Sequence, residues 1–344
     1  MDKTNIENSK SSNKIIQYFF GSYDGKIYFV QVDISPNSRK VISKFGFKVS
    51  ENSLRVLCLK DEYVFASGMD EIIHIYDMSK KEDKGMIVTY AGSISNIQIV
   101  KNFLFAGGEE KTIPIWRMSD FNLVHNLKGH KGGITDFLIH KSAKFGVSAS
   151  KDSSVIIWNL VNGVKITKYS FKNSMICNQL LFVNKQKYVV FVFDSEFWLF
   201  DLFKNSENYE DWVLKKIKVD KKIFQGFVVK NKICILHNNG ELKVYGDIFE
   251  NEKYSTLFLE KPKNTNENEL DFRVKFINLT ENKDLKIKLL NVVYTNGEIY
   301  LYDLNKIIKR SNSSNFENEE SVISKYFSFD LKTNDRITCM NSKI

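Results

Sequence analysis

The sequence predicts an all-β fold, a closed ring of seven four-stranded antiparallel sheets that form a β-propeller. Three observations carry this. A tight turn recurs seven times along the 344 residues. A strand of period two follows each turn. The last residues read like the inner strand that the first repeat lacks.

Each repeat is anchored by an acidic or amide residue, in order Asp24, Asp70, Glu110, Asp152, Asp194, Asn239 and Asn296, at spacings of 40 to 57 residues. Six residues beyond these stand Val30, Tyr76, Trp116, Trp158, Phe200, Tyr245 and Tyr302. The third and fifth positions after every turn are apolar, from Ile27 and Phe29 to Ile299 and Leu301. That alternation marks a half-buried strand behind a tight turn. Strands so short cannot bury their faces alone, so neighbouring sheets must stack. Radial four-stranded sheets do this, with an aromatic near the end of the third strand.

The first repeat begins at its second strand, 15–21, with no inner strand before it. The fourth repeat is the fullest: Gly129 and His130 precede an inner strand at 134–140, a second strand spans 145–150, a third spans 155–160 and an outer strand spans 164–171. Other copies are degenerate, with Glu110 in place of Asp and Val30 in place of the aromatic. The last repeat is expected to end in an outer strand at 322–331. Arg336-Ile337-Thr338-Cys339-Met340 then reads like Ile134-Thr135-Asp136-Phe137 and Ile94-Ser95-Asn96-Ile97. The C-terminal strand should therefore complete the N-terminal blade, which removes two exposed edges. Residues 15–344 form one domain on this reading, with a polar loop inserted at 261–269. Residues 1–14 read as a disordered arm and 311–320 as loosely held.

Composition narrows the function. The chain has 27 Phe, 15 Tyr and 4 Trp but only 3 Pro, which favours strands over disorder. Its longest apolar runs are broken by Asp194 or by lysines, short of the roughly 18 residues of a spanning helix. No apolar signal core opens the chain, so no membrane partner is expected. The net charge is +9, yet arginine occurs only at 39, 55, 117, 273, 310 and 336. Lysine, asparagine, isoleucine and phenylalanine are abundant together, as an AT-rich genome produces, so the charge says little about nucleic acid. Cys58, Cys177, Cys234 and Cys339 are far apart without a C-x-x-C spacing. They predict neither disulfides nor a zinc site.

The repeats resemble WD repeats, so the expected fold is a seven-bladed WD40-repeat β-propeller. A more particular likeness lies in the second repeat, Asp70-Glu71-Ile72-Ile73-His74-Ile75-Tyr76-Asp77-Met78 with Lys80-Lys81 and Gly85. Together with Ala91-Gly92-Ser93-Ile94-Ser95, His130-Lys131-Gly132, Trp158-Asn159-Leu160-Val161-Asn162-Gly163 and Arg336-Ile337-Thr338-Cys339, it resembles the PAK-interacting WD-repeat family. The likeness covers about residues 54–170 and the end of the chain. It implies a nucleolar factor in assembly of the large ribosomal subunit, acting within a large complex as a monomer and binding pre-ribosomal proteins and rRNA. In animals, members also bind and inhibit a small-GTPase-activated protein kinase. Members often carry a long basic tail, and this sequence stops at Ile344. A signalling adaptor, either a kinase regulator or a ubiquitin-ligase substrate receptor, is the alternative.

Ser148, His130 and Asp152 have the composition of a catalytic triad. WD repeats use the same residues otherwise: the turn Asp accepts from the His, the His meets the Ser, and the Ser meets the indole of Trp158. No glycine-rich elbow surrounds Ser148. These four are expected to be a structural network, with no catalysis. The turn carboxylates read as turn caps rather than a metal funnel. No metal site or cofactor is expected.

Two surfaces are candidates for partners. Tyr23, Arg55, Met69, Ser95, Thr135, Lys151, Asn178 and Arg336 should ring the channel mouth where inner strands begin. Lys215, Lys216, Lys218, Lys221 and Lys222 sit at the fifth outer strand, as an RNA-contacting edge or as charges that keep a sheet edge from aggregating.

Overall fold

The computed structural model describes residues 14–35, 38–89, 92–202, 204, 209–246, 254–260, 262, 273–282, 287–312, 321–331, 333 and 335–343. Seven sheets make a seven-bladed propeller. Blade 1 orders its strands as Ile337–Lys343, Ile15–Ser22, Lys26–Ser35 and Ser38–Lys48. The C-terminal strand pairs antiparallel with Ile15–Ser22, placing Phe19 opposite Asn341 and Gly21 opposite Cys339. It thus fills the gap at the start of the chain. Cys339 Sγ would lie 2.5 Å from a Cβ added at Gly21, so only glycine lets the closing strand approach this closely.

Blades 2 to 5 run in sequence order from inner to outer strand. Their inner strands are Leu54–Lys60, Ile94–Val100, Ile134–Ile139 and Gln179–Val183. Blade 4 adds Phe145–Ser150, Ser154–Asn159 and Val164–Ser170, and blade 5 ends in Val213–Lys218. Blades 6 and 7 begin at Ile223–Val229 and Val274–Asn282. All seven anchoring turns fall between the second and third strands of a blade.

Each pair of neighbouring blades shares one buried apolar cluster. The sixth position after the turn feeds these clusters: Val30, Trp116, Trp158, Phe200, Tyr245 and Tyr302 are all buried. Tyr76 is half-buried and stacks on Phe47 of blade 1 with ring centroids 4.1 Å apart. Burying such side chains stabilises by about 1.5–3 kcal/mol each, so alternating apolar positions suffice to hold sheet on sheet.

The structure corrects the reading of the last repeat. The expected outer strand at 322–331 is two strands in two blades. Phe327–Asp330 is the outer strand of blade 7, opposite Glu298–Asp303. Ser321–Ile323 instead joins blade 6 as a fifth strand, parallel to Tyr254–Leu259. Between them and the third strand of blade 7 runs a helix, Leu304–Asn312, so Ser311 is helical rather than loosely held. Leu304, Ile307 and Ile308 pack into the cluster shared by blades 6 and 7. Residues 313–320 lie outside the described residues, as do 1–13 and, apart from the buried Pro262, the loop at 261–269. Lys14 donates its N–H to the Ser35 hydroxyl at 3.2 Å and so belongs to blade 1.

Candidate functional site

Blade 4 brings His130, Ser148, Asp152 and Trp158 together. His130 lies before the inner strand, Ser148 on the second strand, Asp152 in the turn and Trp158 on the third strand. The Trp158 indole N–H donates to Ser148 Oγ at 2.7 Å, and that hydroxyl lies 2.8 Å from His130 Nε2. His130 Nδ1 faces Asp152 at 3.3 Å. A consistent proton order follows: indole to hydroxyl, hydroxyl to Nε2, and Nδ1–H to the carboxylate. In this order the imidazole is neutral; a charged ring would donate from both nitrogens and leave the Ser148 O–H without an acceptor in this group. Burial holds the His130 pKa below its ordinary value against the pull of Asp152.

Burial would also raise the Asp152 carboxyl. Hydrogen bonds from Ser154, the Lys131 N–H and Lys168 outweigh that and hold it well below the usual carboxylate range. Ser154 and Lys168 were missed in the sequence. Ser154 stands two residues after the turn Asp, and Lys168 comes from the opposing outer strand, where no short motif points to it. Ser148 is completely buried and its hydroxyl is occupied on both sides. No substrate can reach it.

The other turn residues meet the expected capping role only in part. Asn239 and Asn296 do cap their own turns, accepting the N–H groups of Glu241 and Glu298 at 3.0 and 3.1 Å. The aspartates reach outward instead. Asp194 accepts from Asn178 at 2.8 Å and pairs with Lys222 at 3.3 Å. Asp70 accepts from Ser50 and lies 2.8 Å from His74 Nε2. Blade 2 thus has its own Asp–His pair, with the histidine on the third strand rather than before the first. Among the described residues no group of three His, Cys, Asp or Glu side chains could hold a metal ion, and no helix is long and apolar enough to cross a membrane. The four cysteines are free thiols.

The channel-mouth residues lie on the face where inner strands begin. Tyr23 and Met69 are more than half exposed, and Lys151 is exposed in the turn of blade 4. Arg55, Ser95 and Thr135 occupy one recurrent position, the extra residue of a β-bulge at the start of each inner strand. A bulge bends its strand and re-aims that side chain. The counterpart in the closing strand is Thr338, not Arg336, because the register there skips from Ile337 to Cys339. Arg336 precedes the strand, and its carbonyl accepts the Tyr23 N–H at 2.8 Å. Asn178 also precedes its strand. Phe224 and Lys275 hold the bulge position in blades 6 and 7 and were missed, since no fixed residue type marks it. Arg55 is 3.5 Å from Glu109 of blade 3.

The lysine run does not present five cations along one edge. Lys215, Lys216 and Lys218 are on the outer strand of blade 5, and Lys216 Nζ sits 3.8 Å above the Trp198 ring. Lys221 and Lys222 follow the strand and turn to carboxylates instead, Lys221 to the buried Glu241 and Lys222 to Asp194. Sequence adjacency misled here because the strand ends at Lys218.

Comparison with known proteins agrees with this architecture. The WD domain, G-beta repeat family is matched at residues 121–159, the outer strand of blade 3 and the first three strands of blade 4. The p21-activated protein kinase-interacting protein 1-like of Xenopus laevis is 28% identical over 182 residues, 52% of this chain and 50% of that protein. Protein MAK11 of Saccharomyces cerevisiae is 27% identical over 185 residues, 45% of each chain. The match therefore spans about half the length of these curated relatives. Among solved structures, the WD40 β-propeller domain of Doa1 superposes with a TM-score of 0.63 at 14% identity, covering 85% of this chain and 90% of that one. The chain is a seven-bladed WD-repeat β-propeller, similar to the p21-activated-kinase-interacting and MAK11 proteins.

Proposed function

We propose that this propeller is a non-catalytic scaffold in ribosome biogenesis, working in the nucleolus on precursors of the large ribosomal subunit through protein and rRNA contacts. The non-catalytic half rests on blade 4, whose one triad-like group is sealed from solvent and saturated with hydrogen bonds. The ribosomal half rests on the sequence likeness running through blades 2 and 4, which a fold alone would not supply. A second reading, a kinase-binding adaptor, is favoured by the likeness to the p21-activated protein kinase-interacting protein 1-like of Xenopus laevis.

The experiment is affinity purification of the tagged chain from cells, with identification of bound RNA and protein. Large-subunit precursor rRNA with assembly factors is the expected result. Kinase subunits without RNA would replace the first reading with the second. The surface is tested in the same assay: Arg55→Ala with Arg336→Ala should lose the precursors, while substitution of Lys215, Lys216 and Lys218 should not. The opposite pattern, with a weaker salt dependence, would put RNA on the blade edge.

A further inference from the structure

We propose that the cavity between blades 7 and 1 binds a carboxylate side chain of a partner peptide, held by Lys275 and Arg336. The cavity measures about 490 Å³ and opens on the face where inner strands begin, between the turn at 295–297 and the connection at 330–337. That volume lies in the usual range for a ligand site. Its floor is apolar and buried, formed by Val293, Leu331 and Ile337.

The two cations reach this cavity from different elements. Lys275 is the bulge residue of the blade 7 inner strand, and Arg336 ends the connection into the closing strand. Among the described residues neither side chain has an ion-pair partner. Burial, and then the positive charge of Arg336, lower the pKa of the Lys275 ammonium. Asp335, the acid next to Arg336, is already engaged by the Lys26 ammonium at 2.9 Å and by the Tyr28 hydroxyl. Two like charges beside an apolar floor repel each other, and an anion placed between them relieves that. A guanidinium fork offers a carboxylate two parallel hydrogen bonds, and the ammonium adds a third donor.

The lining favours a peptide over RNA. Asp330 and Asp335 also border the cavity, and they would oppose a phosphodiester chain with one charge per nucleotide. A single carboxylate brings only one charge past Asp330 and Asp335, and it meets the two cations with the apolar floor beside them. This site deepens the scaffold reading by naming a partner chemistry for its channel face, but it does not depend on which assembly the scaffold serves.

The test measures fluorescence anisotropy of the full chain with a labelled peptide of alternating leucine and glutamate, against labelled oligouridine of equal length and against inorganic phosphate as competitor. Peptide binding that falls at least tenfold in Lys275→Met with Arg336→Gln, at an unchanged melting temperature, is the expected result. A Lys215→Gln, Lys218→Gln control should bind as the parent does. If the double variant does not fold, the single Arg336→Gln carries the same reading, because that side chain is exposed. The proposal is overturned by no peptide binding to the parent chain, by equal binding to the variants, or by oligouridine or phosphate outcompeting the peptide at this site. Loss of ribosomal precursors in cells with peptide binding intact would strike the scaffold's cellular role and leave the site standing.

Discussion

Asp136 of blade 4 accepts the backbone N–H of Leu180 of blade 5 at 2.7 Å while its other oxygen takes the Asn96 amide of blade 3. One carboxylate thus ties three consecutive inner strands. The same device recurs around the channel. Gln179 makes two hydrogen bonds to the Gly226 backbone of blade 6, at 3.0 and 2.8 Å, and Asn341 of the closing strand donates to the Leu57 carbonyl of blade 2 at 3.0 Å. Asn278 of blade 7 reaches the Ser342 hydroxyl of blade 1 at 3.0 Å. Apolar clusters hold the blades face to face, and these polar bonds set the relative heights of the inner strands.

Burial pushes the Asp136 carboxyl up to about 7, against the N–H donors that favour its charged form. The folded protein therefore holds a proton that the unfolded chain releases near pH 4. The stability linked to that proton is fully present below about pH 4 and is lost as pH rises through about 7. In urea titrations, the stability difference between the parent and Asp136→Asn should drift against the parent across this window, by at most about 1.4 kcal/mol per pH unit. A difference flat from pH 4 to 8 would show that the carboxyl titrates normally.

His130→Ala should destabilise the fold by about 1–3 kcal/mol, because it strands the buried Ser148 hydroxyl and removes a partner of Asp152. Its pH signature runs opposite to that of Asp136. The folded imidazole pKa is depressed, so its contribution is present above the ordinary histidine value of about 6.5 and is lost as pH falls through the folded value. Asp152, also depressed, extends the loss into more acid conditions. The stability difference between the parent and His130→Ala should therefore shrink as pH falls below about 6.5, whereas a blade 2 control, Met86→Ala, should keep a constant difference from the parent. Chemical unfolding at pH 7 that moves by less than about 0.5 kcal/mol in His130→Ala would dismiss the role of this chain of hydrogen bonds.

The fold was legible because the repeat announces itself seven times: each turn residue, each apolar pair behind it and the closing strand lie at local spacings. The blade 4 group was legible for the same reason, since Gly129-His130, Asp152 and Trp158-Asn159 stand at repeat positions. What sequence could not reveal depends on register or on contacts between repeats. Thr338 rather than Arg336 holds the bulge position only because the closing strand skips one residue against Gly21 and Ser22. Ser321–Ile323 is apolar enough to be a strand anywhere, and it joins blade 6 because the helix Leu304–Asn312 carries the chain back across that blade. Lys221 and Lys222 look continuous with Lys215 until the carboxylates of Glu241 and Asp194 are placed beside them.

The fifth strand of blade 6 should be a stabilising clasp. Glu260 donates its N–H to the Ile323 carbonyl at 3.0 Å, and its own carbonyl accepts the hydroxyls of Tyr302 and Tyr294. Its side chain accepts the Lys325 N–H at 3.0 Å. Tyr302→Phe removes one of these donors from a buried site and should cost about 1 kcal/mol. Hydrogen exchange at Glu260 should speed up more than exchange in blade 3, and equal protection in the variant would dissociate the tyrosine from the clasp.

Removal of residues 336–344 should open the ring. Ile337 and Cys339 are buried, and Ile337 belongs to the cluster that joins blades 7 and 1. Without the strand, the second strand of blade 1 loses its pairing along Gln17 to Ser22, and Asn278 loses the Ser342 hydroxyl. Leu57 of blade 2 loses its side-chain donor from Asn341 in the same step. One new sheet edge, along the second strand of blade 1, and the apolar faces that Ile337 and Cys339 cover become solvent-exposed, and an unpaired edge is a template for aggregation. The shortened chain should be cleaved by dilute protease first within blade 1 and should associate at micromolar concentration. Adding the excised strand as a peptide should restore part of the protection, since its register is fixed by the glycine at position 21, where Cys339 packs. A truncated protein that melts cooperatively at the parent temperature would show that blades 2 to 7 hold the ring without it.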